Sequence, residues 1–343
     1  MDRFLQSVWY ERKSQWFSLL LLPLSWLFAL VVAIRRAAYR KGWFSSFRVS
    51  RPVIVVGNIT VGGTGKTPMT IWLAEQLHAR GLRVGIVLRG YGGQSKQWPR
   101  DVTKQTSSQE VGDEAVLLAQ RTGALVVAGP DRVAAARRAI ERGAEIVLCD
   151  DGLQHYRLAR DAEIAVIDER RELGNGRLLP AGPLREPASR LNSVDVRVKT
   201  RRSAASMTLK SAGGCSVVAT PTLREAISIT TGEHQSLERF SGKRVHAVAG
   251  IGNPQAFFDA LTALGLNVDP HPLPDHARLS VGYLAFPDGA PVLMTEKDAV
   301  KCSAGAKGHP NELWAVRMDI ALSAADAQIM QQLLDRVLVP VNR

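Results

Sequence analysis

The sequence predicts an α/β protein built on a parallel sheet, with a membrane helix at the amino terminus and a second, smaller α/β domain. Three observations predict it. Short apolar runs alternate with helical periods from Pro52 onward, which is typical of a parallel sheet covered by helices. A glycine-rich turn joins the first strand to the first helix of this alternation. A stretch of nineteen uncharged residues, 16–34, precedes it.

The composition limits the class of protein. The chain has 343 residues, of which 45% are hydrophobic and 22% charged. This excludes wholesale disorder, a collagen-like repeat and a polytopic membrane protein. The net charge of +12 implies an anionic partner, which is a nucleic acid, a membrane surface or a phosphorylated ligand. Three distant cysteines fit a reducing compartment rather than a disulfide framework or a zinc site.

The uncharged stretch would span roughly 28 Å as a helix, close to the hydrocarbon thickness of a bilayer. Basic residues follow it and no acid appears before Glu75, so the positive-inside rule places the bulk of the chain in the cytoplasm. The basic flank is expected to attract anionic lipid headgroups. Three interpretations stay open: a full span, a helix broken at Pro23 that dips into one leaflet, and a buried core helix. Crowded arginines disfavour a cleaved signal peptide.

The elements of the core follow from apolar runs and their flanking glycines. Strands are predicted at residues 53–56, 83–88, 124–128, 145–149 and 163–168, and helices at 67–79, 112–122 and 131–142. Residues 174–187 form a loop rich in Gly and Pro, and polar strand-like segments between 194 and 222 predict a linker with a small hairpin. In the second unit, strands are predicted at 244–249, 291–295 and 313–318, and helices at 254–264 and 323–337.

The strongest local signal is the segment Thr60-Val61-Gly62-Gly63-Thr64-Gly65-Lys66-Thr67, which lies between a predicted strand and a predicted helix. Its glycines let backbone N–H groups cradle phosphate oxygens. Lys66 would reach the β- and γ-phosphates, and the Thr67 hydroxyl would bind Mg²⁺. Thr60 replaces the first glycine of the usual pattern. The segment predicts a P-loop NTPase core with these nucleotide-binding residues: Gly62, Gly63, Thr64, Gly65, Lys66 and Thr67.

An apolar run ends in Asp150 and Asp151, like the Walker B segment that holds Mg²⁺ in P-loop proteins. The alternative is an Asp-Asp-Gly turn. The D-x-x-G and N/T-K-x-D patterns of GTPases are missing, so ATP is the expected nucleotide. Because no nucleic-acid-binding signature is found, no nucleic acid is expected as a partner. A membrane helix beside a P-loop points instead to a membrane-associated, negatively charged substrate.

Several stretches, taken together, resemble the tetraacyldisaccharide 4'-kinase family, and they run in family order over most of the chain. Thr60 belongs to this family's loop, so its departure from the usual pattern supports the resemblance. The matching stretches are residues 57–68, Arg89-Gly90-Tyr91-Gly92, Gly112-Asp113-Glu114, residues 150–155, Gly182-Pro183-Leu184-Arg185-Glu186, Pro274-Asp275-His276 and residues 295–301.

The resemblance implies ATP-dependent phosphorylation, with Mg²⁺, of the 4'-hydroxyl of an acylated glucosamine disaccharide 1-phosphate, which gives the lipid A precursor lipid IVA. It places the protein at the cytoplasmic face of the inner membrane of Gram-negative bacteria. Substrate phosphate and anionic inner-membrane lipid would then match the basic charge, and no obligate protein partner is inferred. Two alternatives stay open: a membrane-associated P-loop ATPase and a nucleotide-sensing module.

The resemblance also implies a division of the chain and the identity of its catalytic residues. The expected parts are an anchor helix with its basic flank at 1–47, a P-loop kinase core at 48–193, a linker with short strands at 194–240 and a second α/β domain at 241–343. Asp113 is expected to act as the catalytic base with His276 as its partner, beside Lys66. The alternatives are a carboxylate that only favours a helix N-terminus and an ordinary loop histidine.

Further site residues are expected from the same stretches. Asp151 and Glu186, with Thr67, would complete the Mg²⁺ shell directly or through water. Arg185 would neutralise a phosphate. Arg132, which lies outside these stretches at the start of a predicted helix, would either meet the substrate 1-phosphate or be a plain surface arginine. Two lysines of the second domain, Lys297 and Lys301, are expected to form only a basic surface. Weaker pocket candidates are Tyr91, Glu114, Asp150, Gln154 and His155.

Overall fold

The computed structural model describes residues 3–11, 16–201, 215–274, 277, 279–302 and 307–339. The strands are β1 Val53–Gly57, β2 Val84–Leu88, β3 Arg100–Val102, β4 Leu125–Ala128, β5 Ile146–Asp150, β6 Ala162–Asp168, β7 Val196–Thr200, β8 Cys215–Ser228, β9 His234–Ser236, β10 Arg244–Ala249, β11 Asn267–Pro272, β12 Val292–Thr295 and β13 Leu313–Leu322. The helices are α1 Arg3–Tyr10, α2 Phe17–Leu20, α3 Leu22–Arg40, α4 Lys66–Ala79, α5 Ser108–Val111, α6 Asp113–Thr122, α7 Arg132–Glu141, α8 Pro254–Ala263, α9 Glu296–Ala299 and α10 Ala324–Leu338.

One mixed sheet, mostly parallel, runs through the whole described chain. Its order is β11-β10-β12-β13-β8-β7-β6-β1-β5-β2-β4-β3, and β9 pairs with β8. The central strands β1, β2 and β5 are buried along their full length, which explains their continuous apolar sequences. The predicted α/β class is confirmed, and the carboxyl ends of β1 and β5 meet at one edge, where open α/β sheets bind ligands.

Helices cover both faces of this core. On one face, Leu73 and Leu77 of α4 and Leu118 of α6 pack against Ile54 and Ile86 of the sheet. On the other face, small residues of α7 pack against the side chains of β1, β2 and β5 that point toward this helix. A separate cluster under α8 and another under β12 form the core of the second half. The second half therefore has apolar clusters of its own, but its last helix, α10, packs into the core of the first half through these residues: Met330, Leu333, Leu334 and Val337.

The connection between the halves differs from the expected linker. β7 and β8 pair in parallel, so the small hairpin predicted between residues 194 and 222 is wrong. β8 also runs for 14 residues rather than forming a short strand, because its second part pairs antiparallel with β13. This long strand joins the two halves into one sheet. The proposed domain boundaries, including 1–47, 48–193, 194–240 and 241–343, stay a prediction.

Three strands were missed, and one of them, β9, has only three residues and pairs antiparallel with β8. β3 is a three-residue edge strand, antiparallel to β4, and is too short to give a pattern. β11 contains Pro270 and Pro272, which argue against a strand because proline cannot donate to a ladder. In the structure both prolines turn their nitrogen away from β10. The N–H groups that flank them donate instead, Asn267 to Lys243 O just before β10 and Leu273 to Ala249 O at its end, so the edge position tolerates the prolines.

The uncharged stretch near the amino terminus forms two helices. The chain breaks at Leu21, and α3 then begins with Pro23 in its first turn, where a missing N–H has no cost. Among the described residues, α3 is the one helix long and apolar enough to cross a membrane. It nevertheless lies against the core, because Ser25 Oγ donates to Leu178 O at 2.8 Å and Arg35 Nη2 donates to Gln154 O at 3.1 Å. Its outward face exposes these apolar residues: Leu24, Trp26, Leu27, Leu30, Val31 and Ile34.

Candidate nucleotide-binding and phosphoryl-transfer site

A cavity of about 980 Å³ opens at the carboxyl ends of β1 and β5. Its walls come from α3, from the P-loop core and from the second half, which contributes residues at the starts of α8 and α9. It brings together nearly all the residues predicted from sequence. The lining residues among them are Gly62, Gly63, Thr64, Gly65, Lys66, Thr67, Tyr91, Glu114, Arg132, Asp150, Asp151, Gln154, His155, Arg185 and Glu186.

The glycine-rich loop is shaped by backbone conformation and by one buried amide. Gly65 has a φ of 88° at the start of α4, a conformation that favours glycine, and a Cβ there would lie 3.0 Å from Thr200 Cγ2. The buried Asn58 side chain donates to Thr64 Oγ1 at 3.1 Å and to Thr60 Oγ1 at 3.4 Å. Thr60 thus supports the loop from inside. The N-terminus of α4 faces the cavity, which suits an anionic phosphate.

Both aspartates at the end of β5 line the cavity, but Asp150 is 1% exposed whereas the Asp151 side chain is 34% exposed. Asp150 accepts a hydrogen bond from Thr70 Oγ1 at 3.1 Å. Burial, with the nearby charges of Glu114 and Asp151, raises the pKa of Asp150 to about 7 although Lys66 opposes the shift. Burial also acts to raise the pKa of Asp151, but Lys66 and Arg185 outweigh it and lower that pKa to about 2.

Asp151 therefore carries the fixed negative charge of the pair. Lys66 Nζ lies 3.5 Å from Asp151 Oδ1, and Arg185 Nη1 lies 3.2 Å from both carboxylate oxygens. Asp151 also has a φ of 49°, which is uncommon for a residue with a side chain. The turn after β5 thus directs one carboxylate toward the P-loop lysine, an arrangement suited to holding a cation beside phosphates.

Glu186 is buried at the cavity wall and is held by several donors. Gln154 Nε2 donates to Glu186 Oε1 at 3.0 Å and to Asn58 O at 2.8 Å, while the Tyr156 hydroxyl donates to Glu186 Oε2. Burial and the Glu186 charge raise the pKa of Tyr156 to about 12, so the phenol remains a donor. Arg190 Nε lies 3.4 Å from the same oxygen. Both oxygens of Glu186 are therefore engaged by protein groups, and the glutamate is rigidly placed.

The Gly-Asp-Glu stretch starts α6 beside the cavity. Gly112 has a φ of 86°, and a Cβ there would come within 2.2 Å of Tyr91 O, so only glycine allows this approach. Glu114 lines the cavity, whereas the mostly buried Asp113 carboxylate lies 3.5 Å from Lys301 Nζ. His276, the predicted partner of Asp113, lies outside the described residues, so that pairing stays a prediction.

Ion pairs between α6 and the segment Thr295–Lys301 join the two halves at the cavity. Arg121 Nη1 lies 2.6 Å from both Glu296 oxygens, and Lys297 Nζ lies 3.4 Å from Glu114 Oε1. The expectation that Lys297 and Lys301 form only a basic surface is wrong. The Lys301 side chain is 8% exposed and pairs with Asp298 at 2.9 Å as well as with Asp113.

Sequence reasoning missed Asp298 and Arg121, which do not line the cavity themselves but hold Thr295 and Glu296, which do. Asp298 is fully buried, and its Oδ2 accepts from Gly250 N at 2.8 Å and from Thr295 Oγ1 at 2.6 Å. The alternating acids and bases of residues 296–301 were a signal for such pairing. This pattern does not identify the partner residues on α6, which lie about 180 residues earlier in the chain.

Arg132 is buried rather than a plain surface arginine, so that alternative is wrong. Its side chain is held by Gly129 O, to which Nη1 donates at 2.7 Å, and it lines the cavity. His155 lies near it. Burial, followed by the charge of Arg132, lowers the pKa of His155 to about 4, so the imidazole is neutral. Within the described part of the chain, His155 Nε2 is buried with no hydrogen-bond partner.

The fold and the site define a P-loop nucleotide-binding protein in which a second α/β half closes one side of the phosphate cavity. The model of the tetraacyldisaccharide-1-P 4'-kinase family matches residues 17–338. The chain belongs to this family.

Individual relatives agree with the family match. The chain is 47% identical over 328 residues to the tetraacyldisaccharide 4'-kinase of Nitrosococcus oceani, covering 95% of this chain and 93% of the relative. It is 46% identical over 339 residues to that of Alkalilimnicola ehrlichii, covering 99% of both. A solved structure of LpxK from Aquifex aeolicus in complex with ATP is similar with a TM-score of 0.79 and 29% identity, covering 94% of this chain and 99% of that one.

Proposed function

We propose that this protein is an ATP-dependent kinase that phosphorylates the 4'-hydroxyl of tetraacyldisaccharide 1-phosphate and so produces the lipid A precursor lipid IVA. The observation that carries the proposal is the single cavity lined by the P-loop, by the α9 segment of the second half and by the apolar helix α3. Such a cavity offers phosphate, sugar and acyl-chain environments together. The names of the relatives and the ATP complex of the Aquifex protein support the same activity.

The residues present fit Mg²⁺ beside the nucleotide. The ionised Asp151 carboxylate, 3.5 Å from the P-loop lysine, and Thr67, the second residue of α4, both line the cavity. Thr67 and Asp151 would hold the ion, with Glu186 reaching it through water because protein donors engage both of its oxygens. The ion, when bound, would neutralise charge on the transferring phosphates.

Two cationic side chains of the protein would neutralise the remaining charge on the phosphates. Lys66 would leave Asp151, which lies 3.5 Å away in this structure, and contact the β- and γ-phosphates. Arg185, whose Nη1 lies 3.2 Å from the Asp151 carboxylate oxygens, would neutralise charge that develops on the transferred group. Asp151 already holds both cationic side chains beside the P-loop, so these side chains need to move little when ATP binds.

Asp113 would accept the proton of the attacking 4'-hydroxyl, with His276 orienting its carboxylate. Lys301 would help to hold the Asp113 carboxylate in place, since its ammonium lies 3.5 Å away in a largely buried position. The base belongs to α6 and its lysine to the second half. Correct contact between the halves would therefore assemble the base and exclude water, which competes with the sugar hydroxyl.

The acylated substrate would approach from the side of α3. Phe28, Val31 and Val32 of this helix line the cavity, and Arg35 follows them one turn later. Acyl chains would contact the apolar residues. The substrate 1-phosphate would meet Arg35 and Arg132 beside the neutral His155, a cationic corner that fits the charge of a phosphate monoester.

Contacts along α3 favour a helix that dips into one leaflet at the cytoplasmic face of the inner membrane. Ser25, Arg35 and Arg36 each contact the core, the last through Glu186 at 3.8 Å, so the helix lies along the protein. The exposed apolar face remains free for lipid. We expect Leu27→Glu with Leu30→Glu to release the protein from anionic vesicles, whereas Arg83→Glu on the far side of the core should not. Unchanged vesicle binding by the double variant would contradict the orientation.

The test of the activity is transfer of labelled phosphate from ATP to the glycolipid. The wild-type protein should label tetraacyldisaccharide 1-phosphate, and the analogue that already carries a 4'-phosphate should stay unlabelled. Lys66→Ala should not label the acceptor, while Lys96→Ala in an exposed loop should label it normally. ATP hydrolysis without any lipid labelling would favour the ATPase alternative and overturn the kinase.

A further inference from the structure

The second half carries a cluster of metal-ligating side chains outside the site described above. His246 of β10 and Asp269 and His271 of β11 each turn one ligand atom toward the others, and these atoms lie within 4.8 Å of one another. His246 Nδ1 is 3.0 Å from His271 Nε2 and 3.4 Å from Asp269 Oδ2. Nothing in the phosphoryl-transfer chemistry uses these residues.

The sheet fixes their relative positions. β10 and β11 are parallel, and His246 is the direct neighbour of Asp269 across the ladder, so both side chains lie on the same face. His271 lies two residues after Asp269 and shares that face. The prolines at 270 and 272 alternate with these two ligands and restrict the backbone of the edge strand. The three ligands therefore stand on rigid neighbouring strands, which is what a preorganised site requires.

A second layer of contacts orients the buried histidine. Asp288 Oδ1 lies 2.9 Å from His246 Nε2 and also accepts from Ala290 N at 3.2 Å. A carboxylate at Nε2 keeps the proton on that nitrogen and leaves the Nδ1 lone pair directed at His271 and Asp269. This carboxylate–histidine arrangement is the usual outer support of a metal-binding imidazole. Phe286 stacks on His246 with ring centroids 3.8 Å apart and prevents the ring from turning.

We propose that His246, Asp269 and His271 bind a divalent transition-metal ion of the zinc class, with a water in the fourth position. Ligand atoms in tetrahedral zinc sites are about 3.3 Å apart, close to the two short separations here, so a small movement of Asp269 completes the geometry. Two imidazoles and one carboxylate suit zinc rather than Mg²⁺, which prefers oxygen ligands. Arg244 Nη2, 3.0 Å from Asp269 Oδ2, is exposed and holds that carboxylate near the histidines.

The test is zinc binding by the full-length, detergent-solubilised protein, measured by competition with a chromophoric chelator after metal removal. The wild type should bind one zinc ion that excess Mg²⁺ does not displace. His271→Ala, at a partly exposed position, should weaken zinc binding about 100-fold, and Asp288→Asn should weaken it about 10-fold through loss of the outer support. His234→Ala, which removes an exposed histidine of β9, should bind zinc like the wild type.

Cobalt substitution gives a second readout that does not depend on affinity. Co²⁺ in the wild-type site should show the intense visible absorption of a four-coordinate ion, and His271→Ala should lose it while its circular dichroism stays that of the wild type. Zinc binding by His271→Ala equal to that of the wild type would overturn the proposal. So would a wild-type protein that binds no zinc, or a six-coordinate cobalt spectrum. None of these outcomes depends on the kinase activity.

Discussion

Replacing Arg121 by Met should destabilise the contact between the two halves more than any surface charge change. The side chains of Arg121 and Glu296 are 5% and 10% exposed and meet at 2.6 Å, and Arg121 also pairs with Asp319. Two unit charges about 4 Å apart interact by about 4 kcal/mol at an effective dielectric constant near 20. Removing one partner of a buried pair costs about 3–5 kcal/mol, because the other charge remains buried alone.

The expected loss for Arg121→Met is therefore about 3–5 kcal/mol in the free energy of unfolding. The double variant with Glu296→Met should recover a large part of it, since no buried charge is then left unpaired. Arg138→Met is the matched control. Arg138 pairs with Asp101 at 2.6 Å but is 39% exposed, so its loss should cost less than about 1 kcal/mol.

The loss of stability caused by Arg121→Met should also depend on pH, in a direction set by the pKa of Glu296. Burial already raises the pKa of Glu296, although Arg121 acts to lower it, and loss of the arginine raises that pKa further. When the pKa of a carboxyl group is higher in the folded state than in the unfolded state, the protein loses stability as pH rises from the unfolded-state pKa to the folded-state pKa. The penalty of Arg121→Met should thus be larger at pH 8 than at pH 5.

The assay is urea unfolding of the detergent-solubilised full chain, followed by circular dichroism, with hydrogen exchange of α6 and α9 as a local readout. Faster exchange in both helices should accompany the loss of stability in Arg121→Met and be absent in Arg138→Met. Equal losses for the two arginine variants would refute the reasoning. A double variant as unstable as the sum of its singles would refute it as well.

Three further outcomes follow from the site. Lys66→Ala should abolish phosphate transfer and leave the circular dichroism unchanged, because the lysine neutralises phosphate charge; near-normal turnover would remove the P-loop assignment. Asp113→Ala and His276→Ala should each lower kcat strongly, and the double variant should be little worse than the poorer single; additive losses would argue against a shared role. The wild type should lose stability relative to Asp150→Asn as pH rises from 4 toward the Asp150 pKa of about 7, since a raised carboxyl pKa has that sign; a constant difference in melting temperature would contradict it.

Short-range patterns in the sequence determined the core of this protein. The apolar runs of β1, β2 and β5 are buried on both faces, so each is readable without knowing its neighbours. The P-loop and the aspartate pair after β5 are also local, since phosphate binding needs consecutive backbone N–H groups and a strand end. For the same reason the nucleotide-binding residues predicted from sequence all line one cavity.

Only the tertiary structure decided how distant segments meet. The parallel pairing of β7 with β8 and the edge strand β11 depend on neighbours rather than on their own residues. The first was predicted as a hairpin, and the prolines of the second argue against a strand. Arg132 and Lys301 look like surface cations in sequence. They can be buried because a backbone carbonyl accepts from Arg132 and two carboxylates pair with Lys301. Charge pairing acts through space over a few ångströms, and partners more than a hundred residues apart become neighbours only once the sheet has formed.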